Sequence, residues 1–256
     1  MLRFIDQKIR QAFSKAAMQY DVLSGLHKEI ARELLEKVSD IKEPATILDI
    51  GMGTGYLTAK LIDEFPDSLV VGLDPAPGMV TVAFEKSNGY KIVQSAAGEL
   101  PFKWSVFDLV LSNLAFQWVE DLPKSFGDCH FVLKDSGVIC LTMFGFNTFQ
   151  ELFASLEAVR EPFPIRRLAH VDEIKKAMAL NHFRNVEIET ESFKAHFPDM
   201  FSLLDWIRGI GANALPKEVY VGKDLLNRAA EYYDKNFRDG FGVQATYEVI
   251  WVKAQK

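Results

Sequence analysis

Cysteine is scarce in this sequence and long apolar runs are missing. These two absences exclude several classes of protein. Cys129 and Cys140 are the only cysteines in 256 residues, too few for a disulfide scaffold or a zinc site, and we predict no metal site. No apolar run approaches the roughly 18 residues that a membrane helix needs. The N-terminus also lacks the apolar core of a signal peptide. We therefore expect a cytoplasmic chain with no membrane partner.

An excess of positive charge is missing as well. The chain has 29 Lys and Arg against 35 Asp and Glu, a net charge of −6, which argues against nucleic acid as a partner. What is present is an ordinary globular mixture, 48% hydrophobic and 25% charged, without repeats or low-complexity tracts. Composition thus excludes disordered and fibrous classes, while the length allows one large domain or two small ones.

Short β-branched runs alternate with helical stretches, which predicts an α/β fold with a mostly parallel sheet. We predict a doubly wound sheet of seven strands, the last returning beside the sixth. The predicted strands are Thr46–Ile50, Leu69–Leu73, Lys91–Gln94, Phe107–Leu111, Val138–Phe144, Val186–Phe193 and Gln244–Lys253.

The remaining segments are predicted to be helical. Residues 1–40, which Pro44 separates from the first strand, form a predicted helical lid. Residues 200–240 lie between two strands of one sheet, so we expect a helical cap inserted before the last strand. The whole chain, 1–256, is then a single domain. Further helices are predicted over 56–64, 122–133, 148–160 and 171–182.

A glycine-rich turn follows the first strand and is the sharpest local signal. Gly51, Gly53 and Gly55 come directly after Asp49 and Ile50 and open a predicted helix. Three glycines let the backbone turn tightly and approach a ligand with no Cβ in the way, whereas a turn without a ligand needs only one. The G-x-G-x-x-G dinucleotide fingerprint would require a third glycine one position later, at residue 56. The spacing therefore disfavours a nicotinamide cofactor and resembles the loop of S-adenosylmethionine methyltransferases.

Two carboxylates accompany this turn. Asp49 is chemically suited to the ammonium group on the cofactor's zwitterionic amino-acid tail. Asp74 ends the second strand, 19 residues after Gly55, and one carboxylate there can accept hydrogen bonds from both ribose hydroxyls. The structural alternative is a turn or helix-capping acid before Pro75. Met79 is a candidate for packing on the adenine face.

A third cofactor element is predicted at residues 96–102. In many methyltransferases of this class, an aspartate four residues before a Leu-Pro-Phe stretch accepts the adenine amine. Ala96 stands at that position here, so the contact must come from the backbone, from Glu99, or be absent. Ala97, Gly98 and Glu99, together with Asn113 after the fourth strand, complete the predicted cofactor set.

Four motifs are spread along the chain, most of them outside this core. They are FSKAA at 13–17 with Tyr20-Asp21, LSNLAFQW at 111–118, IRGIGAN at 207–213 and TYEV at 246–249. With them the sequence resembles the malonyl-acyl-carrier-protein O-methyltransferases of biotin synthesis, a family of class I S-adenosylmethionine-dependent methyltransferases. The resemblance implies a Rossmann-like fold and methyl transfer to the free carboxyl of a malonyl thioester, usually on acyl carrier protein. The methyl ester would hide the charge, so that fatty acid enzymes could extend the chain toward pimelate.

A carboxylate acceptor is already ionised at neutral pH, so no general base is needed. It does need a positioning partner, and we predict Arg208 by charge-assisted hydrogen bonding. Its alternative is a solvated helix residue. Tyr20 and Gln117 are predicted neutral donors, and Tyr20 has a rival role in a lid over the cofactor. The five histidines, His27 among them, are interpreted as surface or satisfied core residues rather than catalysts.

A carrier protein is acidic, so a basic docking face is expected. Residues 160–184 contain six basic and three acidic residues, and we predict docking near Arg166 and Arg167. Two other functions stay open. One is methylation of another small acceptor, such as a free dicarboxylic acid or a quinone. The other is a non-catalytic module that binds the nucleoside, which Ala96 favours slightly.

Overall fold

One central sheet organises the described part of the chain. A computed structural model describes residues 2–87, 89–159, 168–212 and 222–256. Its first elements are two helices, α1 (Leu2–Leu23) and α2 (Gly25–Glu36).

Helix α2 carries an apolar stripe that packs on the sheet. Its buried residues are His27, Ile30, Ala31 and Leu34, the spacing of one helical face. The predicted helical segment 1–40 contains two helices, and the break between them falls at Ser24.

The first half of the sheet is parallel and alternates with helices. Its strands are nearly continuous apolar runs because helices cover both faces. The elements are β1 (Thr46–Ile50), α3 (Tyr56–Glu64), β2 (Leu69–Leu73), α4 (Pro77–Lys86), β3 (Lys91–Val93), β4 (Phe107–Asn113), a short 3-10 helix (Phe116–Trp118), α5 (Leu122–Val132) and β5 (Leu133–Phe144).

The second half adds antiparallel strands. It comprises α6 (Gln150–Val159), α7 (Val171–Leu180), β6 (Arg184–Phe197), α8 (Met200–Gly209), α9 (Lys223–Phe237), β7 (Arg238–Asp239) and β8 (Gly242–Gln255). β8 lies between β5 and β6 and runs antiparallel to both. The strand order is β3-β2-β1-β4-β5-β8-β6, with β7 paired to β8.

The predicted fold class is confirmed. The seven predicted strands form the path of the sheet, and the last strand does return beside the sixth. Two details differ. The segment predicted to be wholly helical, 200–240, ends in the two-residue strand β7, and the helix α4 after Asp74 had no counterpart in the prediction. Pro77 suits the first turn of α4 because its missing N–H is not needed there.

The topology brings the predicted site residues to one edge of the sheet. β1 pairs with β2 on one side and with β4 on the other, all parallel, so the carboxyl ends of the three strands meet. The chain order reverses between β1 and β4, where ligands bind in open α/β sheets. None of the described helices is both long and apolar enough to cross a membrane.

Candidate functional site

A cavity of about 280 Å³ opens at the carboxyl ends of β1, β2 and β4. Ten of the residues predicted from the sequence line it. They are Tyr20, Gly51, Gly53, Asp74, Pro75, Met79, Ala97, Gly98, Glu99 and Asn113.

The glycine turn has a backbone that other residues rarely adopt. Gly51, Gly53 and Gly55 have φ angles of +77°, +55° and +87°, in the left-handed region that glycine tolerates. A Cβ on Gly51 would overlap the Cβ of Ala115, and one on Gly55 would overlap the hydroxyl of Tyr90. Gly51 and Gly53 line the cavity, whereas Gly55 is the N-terminal cap of α3 and acts on the shape of the turn.

Asp74 ties the turn to the end of β2. Its Oδ2 accepts the N–H of Gly53 at 3.0 Å, and its Oδ1 accepts the N–H of Ala76 at 2.8 Å. Each carboxylate oxygen has a second lone pair, and the side chain lines the cavity. Burial raises the pKa of Asp74 to about 6, partly opposed by those two N–H groups. Asp74 therefore holds the turn by two hydrogen bonds and still has free lone pairs at the cavity wall. Its two predicted roles, as a turn acid and as a ligand acceptor, are compatible.

Asp49 is fully inside the protein. Its Oδ2 accepts the hydroxyl of Thr58 at 2.6 Å, while its Oδ1 is buried and has no hydrogen-bond partner among the described residues. Burial raises the pKa of Asp49 to about 7, the charge of Asp74 adds to the rise, and the Thr58 hydroxyl opposes it. An unpartnered buried carboxylate oxygen costs free energy unless a ligand satisfies it.

Helix α1 covers the cavity from above the glycine turn. Tyr20 lies over Gly53, with its ring 3.9 Å from the position of a Cβ there. Burial raises the pKa of Tyr20, and the charges of Asp74 and Asp21 raise it further, so the phenol stays a neutral donor. Asn113 is held by its neighbours, since it donates to the carbonyl of His27 at 2.9 Å and accepts the Thr142 hydroxyl at 2.8 Å.

The residues predicted to surround the adenine also line the cavity. Met79 is buried in a small cluster with Ala17, Ala76 and Val82. Glu99 donates its N–H to the Ala96 carbonyl at 3.0 Å in a turn, and Lys124 donates to the carbonyl of Gly98. Ala96 also lines the cavity, without a side-chain acceptor of its own.

Two predicted acceptor residues do not line this cavity. The Arg208 side chain is 68% exposed and pairs with Asp205 at 3.1 Å. Gln117 is buried, donates to the carbonyl of Leu114 at 2.7 Å, and borders a separate groove beside α5 and α7. The docking residues Arg166 and Arg167 lie outside the described residues.

Sequence reasoning missed several residues that line the cavity. Arg10 and Phe13 come from α1, and Trp118 follows β4 with its ring edge-on to Phe13 at 5.4 Å. His27, interpreted from the sequence as a surface or satisfied core residue, does not line this cavity. It is buried, and its Nδ1 has no partner among the described residues. No group of three or more His, Cys, Asp or Glu side chains in the described ranges is arranged to hold a metal ion.

Known proteins resemble the chain at two levels. Residues 48–141 match a family described as a methyltransferase domain. Malonyl-[acyl-carrier protein] O-methyltransferase from Geobacter sulfurreducens is 32% identical over 96% of this chain and 97% of its own length. The protein of the same name from Acetivibrio thermocellus is 34% identical over 98% and 95%.

Solved structures are similar in fold. YcgJ from Bacillus subtilis superposes with a TM-score of 0.63 at 18% identity, covering 88% of this chain and 97% of that one. Phosphoethanolamine N-methyltransferase 2 from Haemonchus contortus, solved with S-adenosyl-L-methionine, gives a TM-score of 0.62 at 20% identity, covering 95% and 57%.

Proposed function

The chain belongs to the malonyl-[acyl-carrier protein] O-methyltransferase family, and from this membership we propose that it methylates the free carboxylate of a malonyl thioester with S-adenosylmethionine. The observation that carries the proposal is the pair of carboxylates beside the glycine turn. Asp74 offers two oxygens at the cavity wall, and Asp49 offers a buried oxygen with no other partner in the described structure.

The residues of the large cavity, together with Asp49, which lines a smaller neighbouring cavity, fit the cofactor group by group. Asp74 would accept hydrogen bonds from the two ribose hydroxyls, and Asp49 would meet the ammonium of the amino-acid tail. Gly51 and Gly53 would let the tail lie against the backbone. Pro75 and Met79 would contact the adenine ring, and Ala97, Gly98 and Glu99 would border its edge.

The acceptor chemistry needs alignment more than proton transfer. When bound, S-adenosylmethionine would supply a methyl group on a positively charged sulfur. A carboxylate oxygen would attack the methyl carbon in line with the C–S bond, so that the C–O bond forms as the C–S bond breaks and the neutral thioether leaves. The carboxylate is ionised at neutral pH, so the protein need only orient it and exclude water. Tyr20 supports this role because its neutral phenol reaches the cavity without cancelling the charge of the nucleophile. Arg208 is less suited to orient the acceptor carboxylate, because its side chain is exposed and paired with Asp205.

The direct test is mass spectrometry of malonyl-acyl carrier protein incubated with enzyme and S-adenosylmethionine. We expect a gain of one methylene, absent with the Asp74→Ala variant. Malonyl-coenzyme A, a free dicarboxylic acid and a quinone are the parallel substrates. A gain on one of the last two, with none on either thioester, would favour another small acceptor. Cofactor binding without any methylation would favour the non-catalytic module.

For the partner, we propose that acyl carrier protein docks near Arg166 and Arg167. Reversing both charges is expected to raise the KM for malonyl-acyl carrier protein about tenfold, since steering between opposite charges is lost. The kcat/KM for malonyl-pantetheine, which has no protein to dock, should stay the same. Lys60→Glu, a charge reversal at the surface pair with Asp63, is the control. An unchanged KM for the carrier-linked substrate would remove this docking site.

A further inference from the structure

A second, smaller cavity of about 40 Å³ lies between α2 and the glycine turn. Four residues line both this cavity and the larger one, so the two spaces share a wall. These residues are Tyr20, Gly51, Gly53 and Asn113.

Buried polar atoms without partners belong to residues that line the small cavity. Among the described residues, four buried side-chain atoms have no hydrogen-bond partner, and three of them belong to residues that line this space. They are Ser24 Oγ, His27 Nδ1 and Asp49 Oδ1, on residues that are 1%, 9% and 1% exposed. Each such atom costs about 1–3 kcal/mol when left unpaired. Three on residues around one cavity are suited to a polar group of a ligand.

His27 is held firmly at this place. Its ring packs against Tyr20, Phe144 and Trp206 with centroid distances of 5.8, 5.9 and 6.3 Å. Its carbonyl accepts the Asn113 amide at 2.9 Å. Burial lowers the pKa of His27 to about 4, so at neutral pH the imidazole is uncharged and carries one N–H donor.

We propose that His27, with Ser24 beside it, binds the acceptor carboxylate of the substrate. This inference rests on the proposed function and names the residues that recognise its substrate. Two neutral donors can hold an anion by hydrogen bonds without neutralising it, which leaves the oxygen nucleophilic. The place is also suitable, because the acceptor oxygen must lie next to the methyl group and the small cavity adjoins the larger one.

The negative charge of Asp49 at the small cavity does not prevent an anion from binding there. Asp49 faces the same space, and its charge would be met by the ammonium of the cofactor's amino-acid tail. Ser24, His27, Phe144 and Trp206 all lie outside residues 48–141, which match the general methyltransferase domain. Elements outside a shared cofactor domain are where recognition of a particular acceptor is expected.

The test compares His27→Phe with His27→Gln. Phenylalanine keeps the ring packing but removes the N–H, so the KM for malonyl-acyl carrier protein should rise about tenfold. The dissociation constant of S-adenosylmethionine, measured by calorimetry, should stay within about threefold. Glutamine retains an N–H donor and should restore part of the loss. His130→Phe, on α5 and packed against Phe183, is the control and should behave as wild type.

Two outcomes would overturn the inference. One is an unchanged KM in His27→Phe. The other is a loss of cofactor affinity as large as the rise in KM, which would assign His27 to the cofactor's tail. If His27→Phe does not fold, Ser24→Ala decides, with a rise of about threefold expected and an unchanged KM as the contrary result. Failure of the proposed function itself is distinct, because the wild-type enzyme would then not methylate the substrate at all.

Discussion

Replacing Asp74 by alanine is expected to weaken S-adenosylmethionine binding by about a hundredfold or more. The carboxylate offers both ribose hydroxyls an acceptor in a buried site, and each hydrogen bond to a charged group contributes about 1.5–3 kcal/mol. A second effect acts in the same direction. The N–H groups of Gly53 and Ala76 lose the partners that Asp74 provides at 3.0 and 2.8 Å, so the turn loses its binding shape. Calorimetric titration with the cofactor measures the sum.

The control for Asp74→Ala is the same substitution at Asp67, which is exposed at the other end of β2. Asp67→Ala should bind the cofactor like the wild type. The temperature of unfolding of both variants shows whether a loss of affinity reflects binding or a loss of fold. A folded Asp74→Ala variant that binds the cofactor within threefold of wild type would refute the assignment of Asp74 to the ribose.

The cofactor half of the site could be predicted from the sequence because its signals are local. The turn needs a left-handed backbone at three positions, and glycine adopts that conformation without a steric penalty. Gly51, Gly53 and Gly55 therefore indicate the turn in the sequence. Asp74 follows a short buried strand, and parallel strands place their carboxyl ends together. Because the turn and Asp74 each follow one of two consecutive parallel strands, the sequence alone predicts that they lie at one cavity.

The acceptor half could not be predicted in the same way because it is assembled by tertiary packing. Arg208 has the right charge, but a sequence does not say which way one residue of α8 faces, and it pairs with Asp205 at the surface. Arg10 and Phe13 reach the cavity because α1 lies along α4, where the Ser14 hydroxyl accepts the N–H of Gly78 at 3.2 Å. No pattern within α1 alone indicates that contact.

One signal for His27 was available in the sequence. His27, Ile30, Ala31 and Leu34 follow the helical spacing of a buried face. A histidine on such a face must find a hydrogen-bond partner within the protein or in a ligand. The periodicity therefore predicts its burial, whereas the missing partner of Nδ1 emerges only from the three-dimensional arrangement.

Asp49→Asn is expected to stabilise the protein without cofactor at pH 8 while it weakens cofactor binding. Burial raises the pKa of Asp49 to about 7 in the folded protein, against about 3.9 in the unfolded chain. Between these values the folded protein keeps a proton that the unfolded chain has released, so the contribution of Asp49 to stability falls as the pH rises. Above pH 7 the whole cost is present, and asparagine removes it.

The gain at pH 8 is on the order of 4 kcal/mol, or about 8–16 °C in the temperature of unfolding, and it should vanish below about pH 3, where the wild-type carboxyl is protonated in both states. Asp108→Asn is a control of opposite sign. Although partial burial opposes the effect, hydrogen bonds from Lys134 and Thr46 lower the pKa of Asp108, so this variant should lose stability at pH 8.

Calorimetry should show that Asp49→Asn binds S-adenosylmethionine at least tenfold more weakly, because the ammonium loses its charged partner. A less stable Asp49→Asn protein at pH 8, or one with unchanged cofactor affinity, would contradict the view that Asp49 is held in a costly state that the cofactor relieves.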